Sequence, residues 1–97
     1  MDRFAALEIF VRVVEIGSFS RTAIALSISQ STVSKQITDL EKQLQAKLFS
    51  RTTRRLFLTE AGELFYEQAK SILEQYAMAL GDVLNTRQTP SGTLKIA

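Results

Sequence analysis

The chain has 97 residues, about the size of a single domain. Its 12 Lys and Arg against 10 Asp and Glu give a net charge of +2, and 45% of its residues are apolar, as in ordinary globular proteins. It contains no cysteine and no histidine, which excludes disulfides, zinc–thiolate and imidazole metal sites, and histidine-based triads, so we expect no metal and no cofactor. No apolar run approaches the roughly 20 residues that cross a bilayer, and no secretory signal opens the chain. We therefore expect a soluble, cytoplasmic protein.

The charge is unevenly distributed along the chain. Residues 1–58 carry nine Lys and Arg against five Asp and Glu, whereas residues 59–97 carry three against five. A basic segment followed by an acidic one indicates two different tasks. Most of the basic excess lies in Lys35, Lys42, Lys47, Arg51, Arg54 and Arg55.

Two helices are predicted at the start of the chain. From Arg3 to Glu15, apolar residues recur every three or four positions and form one stripe, and Gly17 is suited to end the helix. Ser20 is a good N-cap for a second, short helix through Leu26. Its expected buried residues are Ala23, Ile24 and Leu26.

A third helix is predicted from Gln30 to Gln45, after the short turn 27–29, with Ser29 as its N-cap. Its apolar residues lie at spacings of four, three and four, within a sector of roughly 60°; they are Val33, Ile37, Leu40 and Leu44. The opposite side carries small and cationic side chains, namely Ser31, Ser34, Lys35, Thr38 and Lys42.

A small β-hairpin is predicted next. Residues 48–51 and 55–58 are short runs compatible with strands, and they flank a polar, basic tip at 52–54. The tip lacks the Asn-Gly or Asp-Gly pair that most favours a tight hairpin turn.

A long helix follows, with Thr59 as its N-cap and Glu60 and Glu63 favouring the positive end of the helix dipole. No proline intervenes until Pro90, so the helix can extend for roughly 40 Å, more than the preceding 58 residues can cover. One apolar row alternates steps of four and three, the rhythm of a helix–helix seam, and we assign it to a dimer interface: Phe65, Ala69, Ile72, Tyr76, Ala79 and Val83. A second row lies beside it and comprises Leu73, Ala77, Leu80 and Leu84.

Two short helices joined by a tight turn, the second with a polar outer face, form a helix-turn-helix, and the basic hairpin after them is a wing. The major groove of DNA admits an α-helix whose N-terminal residues reach base edges. Gln30 can pair with adenine and Lys35 can donate to guanine, while Ser31, Thr32 and Ser34 are small enough for close approach.

An ordered series of motifs spanning all 97 residues resembles the N-terminal domain of LysR-type transcriptional regulators. The matching segments are 18–23, 26–34, 37–44, 48–51, 54–55 and 58–62, and Gly92-Thr93-Leu94-Lys95-Ile96 resembles the first strand of that family's effector-binding domain. The resemblance implies a winged helix-turn-helix and a linker helix that pairs in a homodimer. It further implies an absent C-terminal domain that binds a small-molecule effector and drives assembly into a tetramer.

The resemblance also assigns residues to double-stranded DNA. It implies base contacts by Gln30, Ser31, Thr32, Ser34 and Lys35, and it places Arg54 in the minor groove. Arg51 has an alternative as an ion-pair partner of the linker helix, and Thr59 is favoured as a helix cap over a DNA contact. The full set of expected backbone or wing contacts is Ser20, Thr22, Gln36, Thr38, Arg51, Thr53, Arg54 and Arg55.

The predicted fold is mainly α: a winged helix-turn-helix over 1–58, a linker and dimerisation helix over 59–88, and a hinge leading to a further domain over 89–97. Two other classes of protein compete with a DNA reader. A helical interaction module explains the long helix but not the arginines beside a polar helix. An enzyme is disfavoured because the chain has no histidine, cysteine or glycine-rich phosphate loop.

Overall fold

The computed structural model describes residues 3–51 and 55–88, with the side chains of residues 51, 87 and 88 outside that description. Four helices and one hairpin make up this part of the chain, which confirms the predicted fold class. The elements are α1 (Arg3–Ile16), α2 (Phe19–Leu26), α3 (Gln30–Leu44), β1 (Phe49–Arg51), β2 (Leu56–Leu58) and α4 (Glu60–Gln88). Within these ranges, no helix combines the length and apolar character needed to cross a membrane.

Helix α1 ends at a glycine, as predicted. Gly17 has φ +83°, a left-handed conformation that side chains with a Cβ rarely adopt, and its N–H donates to the carbonyl oxygen of Val13 at 2.7 Å. The chain can therefore turn at once into α2.

The N-cap of α2 is Ser18, so the prediction of Ser20 was wrong. Ser18 has extended backbone angles, and its Oγ accepts from the N–H of Arg21 at 3.1 Å. Phe19 is buried in the core, which requires the helix to begin at that residue. Ser20 lies exposed in the first turn. Cap preference alone cannot separate two serines two positions apart, whereas the burial of Phe19 does.

The turn between α2 and α3 is tight although it contains no glycine. Ser27 adopts φ 59°, in the left-handed region, and the N–H of Ile28 donates to the carbonyl oxygen of Ala23 at 3.0 Å. Ser29 then caps α3 as predicted, with its Oγ accepting from the N–H of Thr32 at 3.1 Å.

The core lies where α1, α2 and α3 meet the hairpin and the first turns of α4. Aromatic rings link these elements, with the Phe10 ring centroid 5.5 Å from that of Phe49 and 5.4 Å from that of Phe65. Phe19 packs edge-on against Phe49 at 5.7 Å. The predicted spine of α3 is buried at Val33, Ile37 and Leu40, whereas Leu44 at the end of the helix is partly exposed.

The predicted burial of Ile24 was wrong, because 78% of this residue is exposed. Helix α2 has only eight residues, and its inner side is filled by Phe19, Thr22 and Ala23. Thr22 takes a fully buried position because its hydroxyl donates to the carbonyl oxygen of Ser18 at 2.7 Å and needs no water. Hydrophobicity ranked Ile24 above Thr22, but the geometry of a short helix placed Thr22 inside.

The hairpin pairs β1 with β2 as antiparallel strands, in the register Phe49 with Leu58, Ser50 with Phe57 and Arg51 with Leu56. Phe49 is buried and Phe57 is exposed, so the two faces of the hairpin differ, as alternation along a strand requires.

Helix α4 spans 29 residues, or about 43 Å, and only its first part packs on the body of the domain. Ala69 is fully buried, so assigning it to the dimer seam was wrong, whereas Phe65 packs on Phe10 but is only half-buried, and its part in the seam remains a prediction. Ala69 fills the chain's own core and has no surface left for a second copy. The remaining seam residues, Ile72, Tyr76, Ala79 and Val83, are exposed, and their contact with a partner remains a prediction.

Candidate nucleic-acid interface

The N-terminus of α3 forms a compact cluster of hydroxyl groups. The Ser29 Oγ lies 2.7 Å from the Oγ1 of Thr32 and 3.1 Å from the Oγ of Ser31. Gln30 and Ser31 are exposed, whereas Thr32 and Ser34 are half-buried. Of the predicted base-contact residues, Gln30, Ser31 and Lys35 therefore offer the most accessible side chains, while the hydroxyl of Thr32 is engaged in the cap.

Lys35 lies one turn further along the exposed face of α3 and forms an ion pair. Its Nζ donates to the Oδ2 of Asp39 at 2.9 Å. This hydrogen bond is the main reason why the pKa of Asp39 lies below its ordinary value. Thr38 is exposed beside the pair. The central part of this face therefore carries one cation that a carboxylate holds in place.

Two residues predicted to contact the DNA backbone point into the domain, and those predictions were wrong. Thr22 is fully buried, with its hydroxyl donating to the Ser18 carbonyl oxygen. Gln36 is also buried, in a cleft that Arg3 and Ala6 of α1 line together with α3. Gln36 lies about 100° around α3 from Lys35, on the side that packs toward α1, although Lys35 and Asp39 line the same cleft.

Ser20 is the exposed hydroxyl of α2 near the start of the helix-turn-helix. Its Oγ lies 3.1 Å from that of Ser18, the N-cap. A phosphate contact by Ser20 remains a prediction that its exposure permits.

Glu41 fixes the start of the wing to α3. Its Oε2 accepts from the N–H of Leu48 at 2.8 Å and from that of Phe49 at 3.4 Å, and its Oε1 lies 3.8 Å from the Nζ of Lys47. The Glu41 side chain is only 13% exposed, so these bonds are sheltered from water. Sequence reasoning assigned it no role, although an acidic residue amid the basic excess of the first 58 residues was a signal that it needed partners.

Thr59 and Gly62 fix the other end of the wing to α4. The Thr59 Oγ1 accepts from the N–H of Gly62 at 3.0 Å and donates to the carbonyl oxygen of Lys47 at 2.5 Å, which confirms Thr59 as the helix cap. The backbone N–H of Thr59 donates to the Leu48 carbonyl oxygen at 3.0 Å. A Cβ on Gly62 would collide with that same oxygen, so only glycine allows α4 to begin this close to the hairpin.

The predicted cationic tip of the wing is described only in part. Arg55 is exposed, with its guanidinium carbon 6.0 Å from the centroid of the Phe57 ring. Thr53 and Arg54 lie outside the described residues, as does the side chain of Arg51, so their predicted DNA contacts and the alternative ion pair of Arg51 stay predictions. Across residues 3–51 and 55–88, no group of three acidic side chains gathers to hold a metal.

Comparison with known proteins identifies the family. Residues 4–63 match the model of the bacterial regulatory helix-turn-helix proteins of the lysR family. This chain belongs to the LysR family. A LysR-family relative, the HTH-type transcriptional regulator CrgA of Neisseria meningitidis serogroup C (strain 8013), is 42% identical over 90 residues, which are 93% of this chain and 30% of CrgA.

Solved structures of LysR-type proteins agree with this assignment. The complex of the BenM DNA-binding domain with benA site 1 DNA has a TM-score of 0.84 at 30% identity, covering 93% of this chain and all of that one. Full-length CbnR with its target DNA has a TM-score of 0.78 at 32% identity, covering 89% of this chain and 30% of that one. The chain is therefore a LysR-type helix-turn-helix DNA-binding domain of a transcriptional regulator rather than an enzyme, and it spans about a third of the length of the curated relatives that it matches.

Proposed function

We propose that this LysR-family domain reads a two-fold symmetric operator as a homodimer, with α3 in the major groove and the wing at the minor groove. The observation that carries this proposal is the exposed polar N-terminal end of α3, where Gln30, Ser31 and Lys35 stand together on a helix whose other side is buried. A helix end of this kind brings both side chains and free backbone N–H groups toward the edge of a groove.

The wing supports the proposal because two elements fix its position. Glu41 accepts from the N–H of Leu48 before β1, and Thr59 after β2 donates to the Lys47 carbonyl oxygen, so the hairpin is held on both sides of its tip. An arginine on such a tip, Arg54 in particular, would sense the width of the minor groove, where a narrow groove attracts cations.

The exposed apolar residues of α4 support the homodimer. Ile72, Val83 and Leu84 are large side chains, and each is about half exposed in the single chain. A two-fold pairing through this helix predicts an interrupted palindrome with half-sites roughly one helical turn, or a multiple of it, apart.

The proposal extends to a longer protein in which residues 89–97 form a hinge to an effector-binding domain. Because the chain covers about a third of its relatives, a small-molecule effector and a tetrameric assembly belong to the remainder of such a protein. Its place of action would be the bacterial cytoplasm, at the nucleoid.

Selection of bound sequences from a random DNA duplex pool tests the proposal, with binding of the selected sequence then followed against salt. We expect an enriched interrupted palindrome, and an affinity that falls linearly with salt on logarithmic axes because bound phosphates release counterions. Salt-insensitive binding or no binding at all would instead favour the helical interaction module.

Substitution of Gln30 or Lys35 tests the assignment of base contacts. Each of Gln30→Ala and Lys35→Ala should relax sequence preference at one base pair by about 1–3 kcal/mol, since a bidentate or direct base contact is lost. The measurement is a competition between the selected operator and single-position variants of it. Lys42→Ala, which removes an exposed cation further along α3, is the control and should weaken binding to all duplexes alike. Equal losses on every duplex for Gln30→Ala and Lys35→Ala would contradict the assignment.

A further inference from the structure

The pair formed by Lys35 and Asp39 places a negative charge on the side of α3 that is proposed to meet DNA. The Nζ–Oδ2 distance is 2.9 Å, and the two side chains are 71% and 48% exposed. Residues four apart on a helix lie on the same face, so while the pair is formed the carboxylate stays close to whatever Lys35 approaches. Exposed pairs of this kind contribute little to stability, so folding alone does not require a carboxylate at Asp39.

A carboxylate beside this lysine affects the two kinds of DNA contact differently. A lysine ammonium has three N–H donors and a flexible stem, so a free lysine binds any phosphate within reach as a point charge. With one donor held by Asp39, two donors remain for the acceptor atoms of a guanine edge. The Lys35–Asp39 pair attracts a phosphate less strongly than a free lysine does, because the nearby carboxylate repels the phosphate and cancels much of the field of the ammonium.

We infer that Asp39 is a positioning residue for DNA discrimination, which holds the Lys35 ammonium for base contact and makes the same ammonium a poor ligand for phosphate. This inference rests on the proposed function, because it requires Lys35 to face the major groove. Asp39 therefore lowers the affinity for DNA of arbitrary sequence more than the affinity for the operator, and it raises the ratio of the two.

The charge balance of the exposed face of α3 supports this role. Lys35, Asp39 and Lys42 are all exposed, so the carboxylate reduces a face of two positive charges to one. A second ion pair, between Lys47 and Glu41, fixes the wing, and its carboxylate is sheltered. Among the described residues Asp39 accepts no hydrogen bond from a backbone N–H, which separates its role from that of Glu41.

The Asp39→Asn variant tests the inference because it keeps the shape and an acceptor oxygen while removing the charge. Binding is measured on the selected operator and on a scrambled duplex of equal length, over a series of salt concentrations. We expect affinity for the scrambled duplex to rise about threefold, as for removal of one charge several ångströms from phosphate in water. The salt slope on that duplex should steepen by up to about 0.9, the value for one additional phosphate contact. Operator affinity should change less, so that the ratio falls.

Two further variants separate positioning from bulk charge. Asp82→Asn gives the same change in net charge, but Asp82 lies about 33 Å along α4 from Glu60. The substitution should leave the affinities for the operator and for the scrambled duplex unchanged. In a Lys35→Met background, Asp39→Asn should lose most of its effect on the scrambled duplex, because the cation that it releases is absent.

The outcomes are distinct. An Asp39→Asn chain that binds both duplexes more tightly by the same factor, or whose effect persists in the Lys35→Met background, would overturn the inference and leave Asp39 as a simple repulsive charge. A wild-type chain that fails to distinguish the operator from the scrambled duplex would instead overturn the proposed function.

Discussion

Neighbouring hydroxyl groups of the helix-turn-helix have different roles. Thr22 turns its hydroxyl inward to a backbone carbonyl oxygen, Ser29 uses its own to close the start of α3, and Ser31 leaves its own exposed. The chemical group is the same in each case, and the backbone atoms within its reach decide whether it serves folding or recognition.

We expect Thr22→Val to destabilise the domain without changing how the folded domain binds DNA. The substitution preserves volume but removes the 2.7 Å hydrogen bond to Ser18, at a cost of about 1 kcal/mol. A loss of that size should lower the melting temperature by about 4–8 °C. Ser20→Ala is the control, since it removes an exposed hydroxyl and should leave the melting temperature nearly unchanged. Reduced operator affinity of fully folded Thr22→Val would contradict the buried role.

Tyr66 links α4 to α1, and its ionisation is expected to make the stability of the domain pH-dependent in the alkaline range. Burial, and then the Glu15 carboxylate that accepts its hydrogen bond at 3.2 Å, raise the pKa of Tyr66 above its ordinary value of 10.0. Because the pKa of Tyr66 is raised in the folded state, its stabilising contribution is complete when the pH is below the unfolded-state pKa of 10.0. The contribution declines as the pH rises from there toward the folded-state pKa.

Tyr66→Phe should therefore remove this alkaline decline. Urea unfolding at about pH 9 and about pH 10.5 should show a larger loss of unfolding free energy for the wild type than for the variant. If the two chains lose the same amount, the hydroxyl of Tyr66 does not ionise differently in the folded state.

Residues whose role follows from periodicity could be predicted from the sequence, and residues whose role depends on a distant backbone atom could not. The spacing of Val33, Ile37 and Leu40 was sufficient to place them in the core. Gln36 was misassigned because the helical periodicity of α3 alone does not show which side of the helix packs against α1. Glu41 was missed because its partners, the N–H groups of Leu48 and Phe49, are seven and eight residues further along the chain.

At the scale of elements, the wing is positioned by contacts at its base. Glu41 on α3 and Thr59 at the start of α4 both bond to the segment that leads into β1. The hairpin could be predicted from two short apolar runs, although its turn lacks the usual glycine. Its attachment could not, because that depends on close approach between Gly62 and the Leu48 carbonyl oxygen.

Gly62→Ala should disturb this attachment. The added Cβ would collide with the Leu48 carbonyl oxygen and lie 2.8 Å from the Leu58 Cδ2, so the backbone must move. We expect a loss of about 3 kcal/mol, at the upper end for overpacking, in urea unfolding. Gly81→Ala is the matched control because nothing lies within 4 Å of its Cβ, and a helical alanine there should add about 0.5–1 kcal/mol. Equal effects of the two substitutions would show that the close approach is not maintained.

At the scale of the whole molecule, the domain is a packed body at one end of a long helix. The heptad rhythm of α4 could be predicted, but a single chain's pattern does not reveal which residues its own body occupies. The body takes Phe65 and Ala69, and Phe4 packs on Tyr76 with ring centroids 4.7 Å apart. The exposed remainder of the row is accessible to the proposed partner.

Ile72→Asp should weaken self-association. Ile72 is 46% exposed, and a carboxylate at that position would be costly to bury against a second copy. We expect the dimer dissociation constant from sedimentation equilibrium to rise at least about tenfold, equivalent to about 1.4 kcal/mol. Ser71→Asp adds the same charge at the adjacent exposed position, about 100° around the helix, and should have a smaller effect. An unchanged dissociation constant for Ile72→Asp would show that the seam lies elsewhere.

Helix α4 continues for 12 residues beyond Tyr76, which packs on Phe4, and its side chains from Ala77 to Leu80 are exposed. A helical segment of about that length is marginally stable in water without tertiary contacts. Its backbone hydrogen bonds therefore open locally, from the outer end inward, at a free energy well below that of global unfolding. Whatever covers the segment suppresses this opening by mass action. In the proposed homodimer the length of ordered helix would therefore depend on association, and the outer part of α4 would be less stable than the packed body of the domain.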